Sequence, residues 1–322
     1  KRILKILKPH GTATMRTLEM KIADAAPYGQ RLNPHVITDA REALVKAGRV
    51  TSINSHGTTW YFRTDLAKDR FTYRLGQMGP VQSAFAAGQF AVRLGQVLEI
   101  ATYKSLLATD HDFHGRYTDL DQHGDERAYS KEEPPNYIGR RSIKGNQRLD
   151  FMMRAGNEWA GIECKNIREW IYPGRNEVQE LLSKCLQLDC IPVLVARRIH
   201  PSTFFILNKC GGIVHQVYNQ LLPSVDQELA AKARDKDLLG YADLRLGNEP
   251  DARLQRFIAE HLPGLLGDSR PKFDRYRDLM EEYVANGDYH AFAAKVRRRH
   301  LGQPEDYDWE EIEFIDPDDY DL

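Results

Sequence analysis

No CxxC pair occurs in the 322 residues, and no histidine pair stands at zinc-finger spacing from a cysteine pair. The four cysteines, Cys164, Cys185, Cys190 and Cys210, therefore spell no zinc motif, and a reduced, intracellular chain is the expectation. Long apolar runs are missing too. None approaches the ~20 residues that span a bilayer, so no membrane partner is expected. No signal peptide is visible in a sequence that opens at Lys1, which makes the cytoplasm the expected location. Net charge is close to zero, at -1, so bulk charge selects no partner. No internal repeat is found, which sets a solenoid aside.

What is present is asymmetry. Residues 1–63 carry eleven Lys/Arg against four acids, a surplus of +7, whereas residues 305–322 carry ten acids and no base. That pattern suggests a nucleic-acid-facing head and an acidic tail. The head reads as three helices and a hairpin. Its third helix starts at Asn33-Pro34, with Asn33 as cap and Pro34 at the first helical position. Val36, Ile37, Ala40, Ala43, Leu44 and Ala47 then repeat at the helical period until Gly48 ends it. RVTSI and TTWYF follow as two strands around Asn54-Ser55-His56-Gly57. This order, and LVKAGRV running into a hairpin in particular, resembles a winged-helix DNA-binding domain. The resemblance implies double-stranded DNA as partner, with the third helix in the major groove and the wing on the backbone. The implied contacts are Asn33, His35, Thr38 and Arg41 on the helix and Ser55 and His56 on the wing. A dimerisation or protein-docking module is the alternative. The +7 surplus favours DNA, because binding DNA requires neutralising phosphates.

Residues 64–80 read as a polar connector ending at Gly79-Pro80. Residues 81–108 read as one largely buried helix with one anomaly, Glu99 between Val97-Leu98 and Ile100-Ala101. An acid in such company costs several kcal/mol unless it is paired or metal-bound. Residues 109–147 hold His111, His114 and His123 among five aspartates. They lack the glycine and terminal glutamate of an EF-hand loop, so a solvated loop or irregular hairpin is expected. The latter part of this stretch brings Arg140, Arg141, Lys144 and Arg148, candidate phosphate contacts, up to the most informative stretch of the chain.

That stretch is LDFMMRAGNEWAGIECKN, residues 149–166. Gly156-Asn157 suits a two-residue hairpin loop. With that loop, Arg154 faces Trp159, Met152 faces Gly161, and Asp150 faces Glu163, with Lys165 on the same face as Glu163. The other face (Phe151, Met153, Ala160, Ile162, Cys164) is apolar and can enter a core. Two bare carboxylates directly opposite would repel, and a divalent cation between them removes that penalty. Glu99 is a candidate third carboxylate. An all-oxygen site suits magnesium or manganese rather than zinc. Lys165 beside it can hold a phosphate oxygen or help orient or deprotonate water.

Asp150 followed by Glu163-Cys164-Lys165 resembles the PD-(D/E)XK nuclease superfamily. The surroundings resemble it too: an upstream helix with an embedded acid at Glu99, then the hairpin, the helix NEVQELLSKCLQL, and the buried, parallel strand IPVLVA. The superfamily's proline is replaced by Leu149. The resemblance implies Glu99, Asp150 and Glu163 as catalytic metal ligands for Mg2+ or Mn2+, Lys165 as the catalytic lysine, and the Cys164 carbonyl as a further ligand. Gln179 and Lys184 on the following helix are candidates for approaching the site, and Arg148 for binding the scissile phosphate.

STFFILN and GGIVHQVY read as strands, and residues from Val225 onward as helices. KVRRRH, residues 295–300, is a further candidate phosphate contact. The fold class expected is α/β: a restriction-endonuclease-like mixed sheet flanked by helices over 81–222, a winged helix at 1–63, a helical extension at 223–304 and an acidic tail at 305–322. The function expected is metal-dependent DNA cleavage, in restriction or anti-phage defence. A structure-specific repair or junction nuclease is one alternative, and a DNA-binding regulator with an inactive nuclease core is another. A homodimer is the expectation for two-strand cuts, and the tail is a candidate docking segment for a protein partner.

Overall fold

The computed structural model describes residues 1–24, 32, 34–85 and 87–305. The elements run α1 (Arg2–His10), β1 (Ala13–Thr14), α2 (Met15–Glu19, continued by a π turn), α3 (Pro34–Lys46), β2 (Val50–Ser55), β3 (Thr58–Arg63), α4 (Lys68–Ala84) and α5 (Gly88–Leu107). Short strands follow: β4 (Asp112–His114), β5 (Arg116–Tyr117), β6 (Lys131–Glu132), β7 (Tyr137–Ile138) and β8 (Arg141–Ser142). Then come β9 (Phe151–Ala155), β10 (Glu158–Lys165), α6 (Asn176–Leu188), β11 (Ile191–Ala196), α7 (Pro201–Lys209) and β12 (Ile213–Gln216). The chain continues through β13 (Gln220–Leu222), α8 (Gln227–Arg234), β14 (Leu244–Leu246), α9 (Ala252–Arg256), a π turn, α10 (Leu262–Asn286) and α11 (Tyr289–Leu301). The protein is thus mixed α/β. Among the described residues no helix is long and apolar enough to cross a membrane.

The chain forms two compact units. One takes Lys1–Val97, Asp121–Ala128 and Asn219–Asn248; the other takes Leu98–Leu120, Tyr129–Tyr218 and Glu249–Leu322. These bounds differ from the expected ones. The segment 219–248 joins the first unit because Leu222, Leu239, Tyr241 and Leu244 share a core with Met20, Trp60, Met78 and Val81. Burial of each such side chain contributes about 1.5–3 kcal/mol, and periodicity within a segment cannot reveal which distant segment supplies its partners.

In the first unit, Thr14 caps α2 by accepting from the Thr17 amide at 3.2 Å. β1 adds to the β2–β3 hairpin in the order β1-β3-β2. Helix α3 buries Pro34 and Ile37, but Val36 and Val45 are exposed, so its apolar residues do not all enter a core. Residues 64–80 are not a connector. Most of them are helical in α4, which buries Phe71, Met78 and Val81 and runs through Pro80. The helix expected over 81–108 is two helices, α4 ending at Ala84 and α5 starting at Gly88.

The second unit is built on a five-stranded mixed sheet, order β12-β11-β10-β9-β4. β10 is antiparallel to β9 and parallel to β11, and β11 is parallel to β12. All six residues of β11 are buried, as a continuous apolar run requires. Helix α6 buries Val178, Leu181, Leu182 and Leu188 on one face. Gly161 permits close packing here: a methyl group at that position would stand 2.7 Å from the Cys185 sulfur and 2.9 Å from the Cys190 sulfur. STFFILN is a helix rather than a strand. Pro201 takes the first helical position and the His200 imidazole accepts from the Ser202 amide, so the start signals override the strand propensity of Phe204-Phe205-Ile206.

Candidate active site

The hairpin register matches the expected one: Trp159 faces Arg154 and Gly161 faces Met152 across a turn at Gly156-Asn157. The regular ladder ends at Ile162 and Phe151, so Asp150 lies one residue outside it. Two contacts hold it there. Its amide donates to the Ile162 carbonyl at 3.0 Å, and its Oδ2 accepts from the Cys164 amide at 2.6 Å. A bond of that length clasps the acid against β10 beside Glu163 and Lys165.

Three ammonium groups meet the three acids. Glu163 is buried on β10; its Oε1 accepts from Lys165 Nζ at 2.6 Å and its Oε2 from Lys184 Nζ at 2.9 Å. Lys184, on α6, also donates to the Arg148 carbonyl at 2.9 Å. Glu99, on α5, accepts from the Tyr117 hydroxyl at 2.8 Å and from Lys131 Nζ at 2.6 Å. Lys131 Nζ stands 3.5 Å from Asp150 Oδ1 and 4.9 Å from the Phe151 ring centroid. The acid embedded in an apolar helix is therefore paired.

Burial pushes the Asp150 carboxyl up to about 8, and the charges of Glu163 and Glu99 add to the effect against Lys131 and the Cys164 amide. Burial disfavours charge on Lys131 and Lys165, but carboxylates outweigh it: Asp150 and Glu99 for the first, Glu163 and then Asp150 for the second. Both ammonium groups are held above the ordinary lysine value. The Cys164 thiol, donating to Thr102 Oγ1 at 3.4 Å, is pushed up by burial, so it is no nucleophile.

The Asp150 shift makes stability pH-dependent. A carboxyl with a folded value near 8, above its unfolded value near 3.8, binds more protons in the folded chain between those limits. Stability from this group is present below about pH 4 and is lost as pH rises toward about pH 8. In EDTA, the melting temperature of the wild type is expected to fall over that window more steeply than that of Asp150→Asn. Asp150→Asn is expected to be the more stable of the two at the alkaline end, by about 2 kcal/mol. Parallel melting curves across the window would refute the assignment.

Among the described residues, no three His, Cys, Asp or Glu side chains are gathered closely enough to hold a metal ion. Lys131 stands between Glu99 and Asp150 instead. The donor chemistry nonetheless fits a hard divalent cation: three carboxylates at one end of a hairpin, one of them destabilised by the other two.

The other expected residues are more scattered. Gln179 turns from the acids and donates to the Tyr283 and Val284 carbonyls of α10 at 3.4 and 3.0 Å. Arg148 lies outside the ladder, with its guanidinium on the Gln147 carbonyl at 3.0 Å. Arg140 is exposed, and Arg141 is ion-paired with Asp189. The Lys144 side chain is exposed and its amide donates to Gln187 Oε1 at 2.9 Å. In the head, Asn33 lies outside the described residues. His35 is exposed; Thr38 donates back to the Pro34 carbonyl at 3.3 Å. Arg41 is held by the Tyr61 hydroxyl at 2.5 Å and by Glu42 at 2.6 Å, so it has competing partners for any phosphate. Ser55 and His56 bond each other at 2.9 Å, and the His56 ring lies over Gly79, where it would collide with a methyl group. Of KVRRRH, Lys295 is paired with Glu282 and Arg299 with Asp278 and Glu305. Apart from Glu305, the acidic tail lies outside the described residues.

Lys131 and Tyr117 are the residues that sequence reasoning missed. Lys131 lies in YSKEEPP, where two adjacent acids make it read as a solvated charge, and no local pattern marks it. No family model, no curated protein and no solved structure matches the chain.

Proposed function

We propose that the protein is a divalent-cation-dependent nuclease that hydrolyses DNA phosphodiester bonds. In this reading it has a restriction-endonuclease-like core and a winged-helix head, and acts in restriction or anti-phage defence. The observation that carries this reading is the clasp between Asp150 and the Cys164 amide, which fixes an acid beside Glu163 and Lys165 at one end of the hairpin. Magnesium or manganese held by Glu99, Asp150, Glu163 and the Cys164 carbonyl would polarise the phosphoryl group and make a water easier to ionise. The Lys165 side chain is partly exposed, and its N–H groups can donate to a phosphate oxygen as charge develops there. Lys184 orients Glu163 from behind, being itself buried and anchored to a carbonyl. Tyr117 orients Glu99 through its hydroxyl. The direct test is incubation with plasmid, branched and modified DNA in magnesium and in EDTA. Cleavage only in magnesium is expected, and preference for branched DNA would favour a repair or junction role. Two-strand cuts would require a dimer or successive nicks.

A second reading draws on the same geometry. Each carboxylate already has an ammonium partner, which suits a DNA-binding regulator whose nuclease core is inactive. Binding without cleavage of any DNA would favour it.

In either reading the head contacts DNA. The support is the basic surplus of residues 1–63 and the exposed side of α3, where His35, Val36 and Lys46 lie, with Arg49 beyond its end. Affinity for duplex DNA is expected to fall linearly with the logarithm of salt concentration, by about 0.9 per phosphate contacted. Reversing the charge at Lys46 and Arg49 is expected to lower that slope by up to about 2. A slope near zero in fluorescence anisotropy would dispose of the DNA-binding role.

A further inference from the structure

The three acids and three lysines of the site are equal in number but unlike in arrangement. Lys184 is fixed by two acceptors, Glu163 and the Arg148 carbonyl. Lys165 pairs with Glu163. Lys131 alone of the three stands between acids from separate elements, 2.6 Å from Glu99 Oε2 and 3.5 Å from Asp150 Oδ1. A cation ligated by both acids must take the space that this ammonium fills. The ammonium has somewhere to go. Glu133, largely exposed and two residues along, has its Oε2 3.9 Å from Lys131 Nζ, and a lysine stem is flexible.

On the metal-dependent reading above, we propose that Lys131 is a built-in competitor for the metal. A divalent cation reaches Glu99 and Asp150 only by displacing the Lys131 ammonium, so that the free protein binds metal weakly. Tyr117 holds Glu99 in place during the exchange, its hydroxyl donating to the same Oε2 that the lysine leaves. A lysine with a purely structural role has the opposite consequence: removing it would leave Glu99 and Asp150 repelling each other, their spacing loosened, and metal binding no tighter.

The experiment is a manganese titration of the full chain, read from the electron paramagnetic resonance signal of free Mn2+ and so independent of cleavage. Lys131→Met and Lys131→Gln are expected to bind Mn2+ at least about tenfold more tightly than the wild type, a conservative reading of the Coulomb energy between unit charges at this separation. Lys131→Arg is expected to stay weak, because it keeps the competing charge. Unchanged or weaker binding in both neutral variants, with binding still abolished by Asp150→Asn, would overturn the competitor role and leave the metal site standing. Binding indifferent to Asp150→Asn and Glu163→Gln in every background would overturn the metal site itself, and the competitor role with it. A measurement on the wild type covers variants that fail to fold: the rate of Lys131 acylation by succinimidyl acetate, followed by mass spectrometry. Manganese is expected to accelerate it by freeing the ammonium, and a rate that does not rise would overturn the proposal.

Discussion

On the nuclease function proposed above, Lys165→Ala is expected to lower magnesium-dependent DNA cleavage by about 10²–10³-fold or more, the usual consequence of removing a donor aimed at charge that develops on a transferring group. The loss is expected without unfolding. The Lys165 side chain is 23% exposed, and Glu163 keeps its second partner, Lys184, when Lys165 is gone. The melting temperature should therefore move little while the rate collapses. Lys104→Ala serves as the control, since Lys104 forms a peripheral ion pair with Glu249. Gel assays of plasmid relaxation and single-turnover rates on a cleaved duplex measure the effect. A Lys165→Ala protein that cleaves at the wild-type rate would remove this lysine from the chemistry.

Lys184→Met carries the largest expected effect on stability. Its side chain is 6% exposed and that of Glu163 7%, so the pair is screened by little water. Removing one partner of a buried pair costs up to about 3–5 kcal/mol; Glu163 keeps Lys165 on its other oxygen but loses its buried partner. The Arg148 carbonyl loses a donor at the same time. The melting transition should fall by roughly 10 °C. Replacing both members, as Lys184→Met with Glu163→Leu, should recover much of that loss by removing the under-compensated buried charge, although the acid proposed to hold metal is then gone. Equal melting temperatures for the wild type and Lys184→Met would show that Lys165 alone satisfies Glu163.

Local chemistry made much of the hairpin legible. Gly156-Asn157 sets the loop, the loop sets the register, and the register brings Asp150 to the level of Glu163. The continuous apolar run of β11 is enough by itself to mark an interior strand. Glu99 is conspicuous because an acid amid Val97, Leu98, Ile100 and Ala101 needs a partner. Its partner is not legible. Lys131 stands 32 positions further along, beyond the end of α5 and two short strands, and nothing in YSKEE distinguishes a buried ammonium from a solvated one. Gln179 shows the limit in the other direction. It shares α6 with Lys184, yet it bonds α10, because helical periodicity gives the face and not the neighbour. The parallel pairing of β13 with β14, 24 residues apart at Gln220 and Leu244, also leaves no local trace.

The first unit has a consequence for how the chain is made. Trp60 is fully buried, and the cluster around it includes Leu239, Tyr241 and Leu244. A nascent chain emerges amino terminus first. The head can thus form its helices and hairpin early, but it cannot complete its interior until the segment carrying Tyr241 and Leu244 has left the ribosome. The whole of the hairpin that carries Asp150 and Glu163 is synthesised in between. A fragment ending after Arg63 would be released with an indole uncovered, and whatever the head binds, it acquires its finished interior only after the Asp150–Glu163 hairpin has been made.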